Sequence, residues 1–335
     1  MKGITRALIA FLLTATILLI LDLENRSSQN DDKLTSIAIF KITSRLILDQ
    51  SEDGILFALK EKGFVDGKTC TIKRYSAEGD MGTANTIAQN IVSSKFDMVI
   101  TISTPALQVM ANANRKGSVT HVFCTVTDPY GSGVGITGTG PHEHPPHLVG
   151  IGTFQPVEEA IEIAKKMNPD LKVLGTVWCT SEVCSEACVK LARKKCAELD
   201  IKLLEMSVET TTQVLEAAMS LTARGVQALW LGGDNVVESA IDQLINAANR
   251  AQIPLFTNNP YNVYGNVLFA FGANYYDVGK LAGEMSADIL NGKPTTEIGV
   301  ENVVPNYLEI NADALNNIKD YWNIDAFADS PMLKK

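Results

Sequence analysis

From residue 35 onward, short apolar runs alternate with stretches whose apolar positions recur every three to four residues. Runs of the first kind read as buried strands and those of the second as amphipathic helices. The pattern predicts a strand over 35–40, a helix over 48–62 ending at Gly63, a strand over 71–75, a helix over 83–94 and a strand over 98–102. A helix over 105–116 follows, with Pro105 in its first turn, where a missing N–H costs nothing; then comes a strand over 119–124. Beyond a Gly-, His- and Pro-rich stretch at 131–152, the alternation restarts. Helices over 156–167, 184–199, 212–222 and 235–251 interleave with strands over 173–179, 202–206, 228–231 and 254–256. Strict alternation predicts parallel sheets covered by helices. The pattern fits about ten strands, more than one tidy sheet needs, so it reads as two α/β lobes with a break near 131–152.

Composition agrees with this picture. A chain of 335 residues with 46 % hydrophobic and 20 % charged positions holds about two core-forming domains, and wholesale disorder is excluded. The formal net charge of −9 gives no basic footprint, so an electrostatic nucleic-acid binder is excluded as well. The front end stands apart. Lys2 and Arg6 precede an apolar run of 15 residues from Ala7 to Leu21. Such a run is short for a membrane span of about 20 residues but suits a signal segment over 1–24. Ile17 to Leu23 offers no small-x-small cleavage site, so an uncleaved, membrane-tethering signal stands beside a cleaved one. A buried N-terminal helix fits less well with the basic flank and the polar stretch that follows.

In doubly wound folds, ligands bind beyond the carboxyl ends of the strands. Those ends read Lys41-Ile42-Thr43-Ser44-Arg45, Ser103-Thr104-Pro105-Ala106, Thr125-Val126-Thr127-Asp128-Pro129, Thr180-Ser181-Glu182, Gly232-Gly233-Asp234-Asn235 and Thr257-Asn258-Asn259. They are rich in hydroxyls, carboxylates and amides, and several precede helix N-termini, which favour a bound anion. Any one of these residues is equally well an ordinary helix cap. Six polar ends on one side of two lobes point to a shared cleft.

These segments also carry a resemblance. Ile39-Phe40-Lys41-Ile42-Thr43-Ser44 with Ile47-Leu48-Asp49, Gly79-Asp80-Met81 before Thr83-Ala84-Asn85, Ser103-Thr104-Pro105-Ala106, Ile253-Pro254-Leu255-Phe256 and Tyr275-Tyr276-Asp277-Val278-Gly279 stand in a specific order. In that order the chain resembles, from about Ser36 to Leu290, the ABC-transporter substrate-binding family that includes tryptophan- and tyrosine-binding transport proteins. The resemblance implies an α/β protein of two Rossmann-like lobes in the type I periplasmic binding protein architecture, with a hinge and an interlobe ligand cleft. Lobe one would comprise 35–151 plus 276–292, and lobe two 152–275 plus 293–335. It implies capture of a small amino-acid-like solute, aromatic ones included, by a monomer outside the cytoplasmic membrane. Delivery would be to an ABC permease and its ATPase, with membrane contact through the permease or the N-terminal segment. No cofactor or metal and no catalysis is needed.

Carried onto this chain, Thr104 and Ala106 at a helix N-terminus, with Thr125 and Thr127, would meet a ligand carboxylate or amino group. Asp128 and Asp234 would meet an ammonium, and Ser185 and Asn235 would contact from lobe two. Thr43, Ser44, Ser181 and Asn259 complete the candidate set. Asp128 before Pro129 also fits simple turn initiation. Where the family usually has His-Pro, this chain has Arg45-Leu46; where it has Asn-Ser, this chain has Cys184-Ser185. An acid that commonly follows the Pro-Leu-Phe strand is replaced by Asn259. An arginine at the cleft could bind a carboxylate bidentately.

Cys179, Cys184, Cys188 and Cys196 cluster within 18 residues. Of their pairings, Cys179–Cys184 is the more feasible disulfide, because Cys184 and Cys188 sit too far apart on one helix; buried small apolar side chains are the alternative. His142, His144 and His147 in the Pro-rich loop are either a divalent-metal site or a surface loop. A membrane-tethered sensory module of the same fold is the competing function. An enzyme lacks support in a phosphate loop, a nucleophile elbow or a Ser/His/Asp grouping.

Overall fold

Two six-stranded sheets organise the computed structural model, which describes residues 34–330 apart from 139, 141, 261, 262, 304 and 329. The signal segment expected over 1–24 lies outside the described residues. The first sheet is built from β1 (Thr35–Lys41), β2 (Cys70–Ser76), β3 (Met98–Ile102), β4 (Thr120–Val126), β5 (Leu148–Gly152) and β11 (Glu301–Asn302), in the order β11-β5-β4-β3-β1-β2. All of its pairings are parallel. Helices α1 (Leu46–Glu61), α2 (Met81–Ser93) and α3 (Thr104–Ala113) connect its strands. The second sheet holds β6 (Val173–Cys179), β7 (Lys202–Val208), β8 (Ala228–Leu231), β9 (Leu255–Thr257), β10 (Val267–Ala273) and β12 (Asn306–Ile310), in the order β12-β10-β9-β8-β6-β7. Only β12 runs antiparallel. Its helices are α4 (Val157–Met167), α5 (Val183–Glu198), α6 (Val214–Ala223), α7 (Asn235–Glu238) and α8 (Ile241–Ala251).

Each lobe has its own core. Ile37, Ile39, Val99, Ile100, Val122 and Phe123 anchor the first. On the second sheet, Leu174, Trp230, Phe256 and Phe269 pack one face while Val177, Leu229, Leu231 and Leu255 pack the other. Continuous apolar strands are what a sheet covered on both faces requires.

The final long helix, α9 (Tyr275–Leu290), follows β10 but returns to lobe one and lies against α1. Three glycines permit the approach. A Cβ on Gly279 would stand 2.0 Å from the Ser51 carbonyl oxygen, one on Gly54 2.1 Å from the Tyr276 carbonyl, and one on Gly283 2.7 Å from that of Ile55.

The structure departs from the sequence pattern in several places. Residues 293–302 belong with lobe one rather than lobe two: β11 pairs with β5, and Ile298 and Val300 join the first core. The Pro-rich loop holds this segment in place. Tyr130 Oη donates to the Val300 carbonyl at 2.9 Å, and His144 Nε2 lies 2.9 Å from the Ile298 carbonyl. The helix expected over 235–251 is two helices, because Ala240 leaves helical geometry at φ −118°, ψ 23°. Strand β5 carries two glycines that dilute its apolar signal, and β10, apolar but for Gly272, follows β9 with no helix between them, outside the strand–helix alternation. A side chain at Gly150 would strike the Phe123 carbonyl, and one at Gly272 the Asn258 carbonyl.

The chain crosses between lobes three times: after β5, between β10 and α9, and between β11 and β12. The crossings are tied together. Phe154 N–H donates to Asn302 Oδ1 at 2.6 Å, Asn274 N–H to the Pro305 carbonyl at 2.9 Å, and Gln155 Nε2 to Tyr275 Oη at 2.8 Å.

Candidate functional site

The carboxyl ends of both sheets face one cavity of about 30 Å³. Lobe one contributes Arg45, Ile47 and Leu48 from the start of α1, Ser103 and Thr104 from the start of α3, and Thr125 and Thr127 from the end of β4. Lobe two contributes Cys184, Gly233, Asp234, Asn235 and Glu238, and the crossings contribute Gln155 and Tyr275. The lobes touch across it. Arg45 Nη2 donates to Asn235 Oδ1, and Gly233 sits so close to lobe one and the first crossing that a Cβ would lie 3.3 Å from Thr127 Oγ1 and 3.1 Å from Gln155 Oε1. The cleft is shut.

The backbone is strained at two lining positions. Ser103 has φ 98° and Thr125 φ 56°, a region that favours glycine. Such strain clusters where a site demands it. Ser103 caps α3, and Thr125 Oγ1 shares a 2.7 Å hydrogen bond with Ser51 Oγ.

Of the residues singled out from the sequence, Arg45, Thr104, Thr125, Thr127, Asp234 and Asn235 line the cavity. Thr43, Ser44, Ala106, Asp128, Ser181, Ser185 and Asn259 do not. Ser44 turns to Asp49, with Oγ 3.2 Å from Oδ1, in a cluster where Lys41 pairs with Asp49 and Glu52. Asp128 Oδ1 accepts from the Gly131 N–H at 2.9 Å, the local turn role. Ser181 Oγ lies 3.1 Å from Cys179 Sγ, and Asn259 donates to Glu238. Asp234 is a framework node. Its Oδ2 accepts from Cys179 N–H and Ser185 Oγ, both at 2.6 Å, and its Oδ1 from Val237 N–H at 2.8 Å. Those three bonds lock β6, α5 and α7 together.

Two acids stand outside the candidate set, although Glu182 belongs to a polar strand end read from the sequence. Glu238 lies one helical turn beyond Asp234 and lines the cavity. Glu182 sits behind Asn235 and accepts from its backbone N–H at 2.7 Å and its Nδ2 at 3.0 Å. Burial, and then neighbouring Asp234, push the Glu182 carboxyl up to about 7, while Asn235 and Arg45 pull it back. The pairing of Glu238 with Asn259 is a tertiary contact that no spacing announces.

The cysteines form no disulfide; all six are free and buried. Of the two readings of the cysteine cluster, the structure shows the buried small side chains rather than a Cys179–Cys184 bridge, the two thiols turning to different partners, Ser181 and, at 3.4 Å, Glu182 Oε2. Burial first, then Glu182 and Asp234, raise the Cys184 thiol, which therefore stays protonated. Among the described residues, no group of three metal-ligating side chains occurs, and the His loop serves as the clamp on 293–302. His121, buried in β4 with Nε2 2.8 Å from Thr101 Oγ1, is held down to about 3 by burial and then by His147.

Two parallel-sheet lobes, three tied crossings and a polar cleft between strand ends define a two-lobed solute-capture protein of the type I periplasmic binding fold. The profile of the family described as ABC transporter substrate binding protein matches residues 36–320. The chain belongs to that family and is a substrate-binding protein of an ABC transporter. It is 28 % identical over 298 residues to a tyrosine-binding protein of Clostridioides difficile, covering 88 % of this chain and 85 % of that protein. It superimposes on a conserved domain protein from Vibrio cholerae with a TM-score of 0.84 at 27 % identity, covering 90 % of this chain and 100 % of that one. An ABC domain from Streptococcus pneumonia in complex with L-Trp gives 0.79 at 22 % identity, covering 85 % and 94 %. A ligand-free, open substrate binding protein from Clostridium difficile gives 0.66 at 26 %, covering 90 % and 98 %. Among the described residues, no helix is long and apolar enough to cross a membrane.

Proposed function

We propose that this protein captures a small zwitterionic, amino-acid-like solute and hands it to an ABC permease driven by its ATPase. The observation that carries the reading is the polarity of the cleft. Its lobe-one wall presents the Arg45 guanidinium and the Thr104 hydroxyl, while its lobe-two wall presents Glu238. A solute with a carboxylate at one end and an ammonium at the other matches both walls at once. The present cavity of about 30 Å³ holds little more than water, so the solute enters with the lobes apart. Lobes that close onto it bring both walls to it and favour a closed form through differential affinity. The kinship with a protein named for tyrosine binding supports an amino-acid solute. The basic and apolar front end supports export, with either cleavage or retention as an anchor.

Native mass spectrometry of the freshly purified protein, followed by a thermal-shift panel of L-amino acids, tests the reading. A retained amino-acid mass, and stabilisation that grows with ligand concentration, are expected. Stabilisation by sugars or nucleosides, with none by any amino acid, would reject it.

A further inference from the structure

We propose that Arg45 is the specificity residue of the cleft, selecting a solute that bears a single planar carboxylate, which takes the place now held by the Asn235 side-chain oxygen. The proposal rests on the reading of the cleft as the solute site. Arg45 Nε and Nη1 and the Thr104 hydroxyl are shut from solvent and have no hydrogen-bond partner among the described residues. Both residues line the same cavity, and Thr104 is only 2 % exposed. Buried donors left unmet on a charged group are unfavourable, and nothing within lobe one offsets them.

The third guanidinium nitrogen, Nη2, is occupied by Asn235 Oδ1 from across the cleft. That amide cannot turn over, because its Nδ2 is committed to Glu182 Oε2 at 3.0 Å. Asn235 therefore offers Arg45 one neutral acceptor, where a guanidinium fork fits two charged oxygens side by side. A carboxylate displacing it would satisfy an edge of the fork, with the Thr104 hydroxyl within the same cavity as a further donor. Multiply charged anions fit less well. Asp234 and Glu238 line the opposite wall, so the cleft already carries more acid than base.

Calorimetry and thermal shift on the full chain, Arg45→Ala and Arg45→Lys test the assignment with three probe sets. These are L-amino acids, the α-carboxamides of the same amino acids, and acetate and benzoate as amine-free carboxylates. Amino acids are expected to bind the wild type, and their carboxamides to bind far more weakly. Arg45→Ala should weaken amino-acid binding about 10- to 100-fold, the loss typical of charged hydrogen bonds. Arg45→Lys should fall between, keeping the charge without the fork. It also serves as the comparison should Arg45→Ala fold poorly. Equal affinity in wild type and variants, or carboxamides binding as well as acids, overturns the role of Arg45 and leaves the amino-acid reading standing. Amine-free carboxylates binding through Arg45, with no amino acid doing so, keeps the role and overturns that reading. Binding by no carboxylate of either kind overturns both.

Discussion

Glu182 and Asp234 show how environment divides the work between two neighbouring acids. Asp234 is surrounded by donors and braces three elements, whereas Glu182 faces burial and a like charge. With the folded pKa raised from 4.5 to about 7, the native state keeps a proton that the unfolded chain releases. The stability this proton contributes is fully present below the unfolded pKa and is lost as pH rises through the folded one. Urea melts of Glu182→Gln from roughly pH 5 to pH 8 should therefore show a smaller loss of stability than the wild type. Parallel pH profiles would mean that the carboxyl titrates normally. Arg45 was legible in the sequence because it follows a strand. Gln155 and Tyr275 were not, because they belong to crossings whose position depends on both lobes. Glu238 lies past the strand end, within a stretch that reads as ordinary helix.

At the scale of elements, apolar runs and their helical partners were readable wherever the apolar signal was undiluted. Strand β5 escaped, since Gly150 answers to backbone packing against Phe123, and β10 escaped because no helix separates it from β9 and it breaks the alternation. Strand β11 has two exposed residues and carries no pattern. The return of α9 to lobe one is equally a matter of contact. The spacing of Gly279 and Gly283 suits a close helix pair without saying which helix is the partner. Gly279→Ala places a methyl 2.0 Å from the Ser51 carbonyl oxygen, so α9 must lift from α1. Overpacking of this kind costs about 1–3 kcal/mol, which a lower urea midpoint for unfolding would register. An unchanged midpoint would show that the pair has slack.

For the whole molecule, the decisive feature is how closely the lobes meet. Beside the Arg45–Asn235 contact, Gly233 is a point of close backbone approach, against Thr127 and Gln155. Gly233→Val should hold the lobes apart while leaving each core intact. Small-angle scattering with a saturating amino acid from the thermal-shift panel is then expected to show a larger radius of gyration than for the liganded wild type, with weaker affinity. A variant that compacts like the wild type would remove Gly233 from the account of closure.

The three tied crossings also set what kind of motion is available. One covalent connection would let the lobes twist and slide as well as bend. Three side by side, cross-linked by Phe154–Asn302, Asn274–Pro305 and Gln155–Tyr275, resist torsion and leave a single soft axis. Closing then becomes a walk along one angle rather than a search through orientations. The two walls arrive in register each time, and a solute needs only to be present when they do.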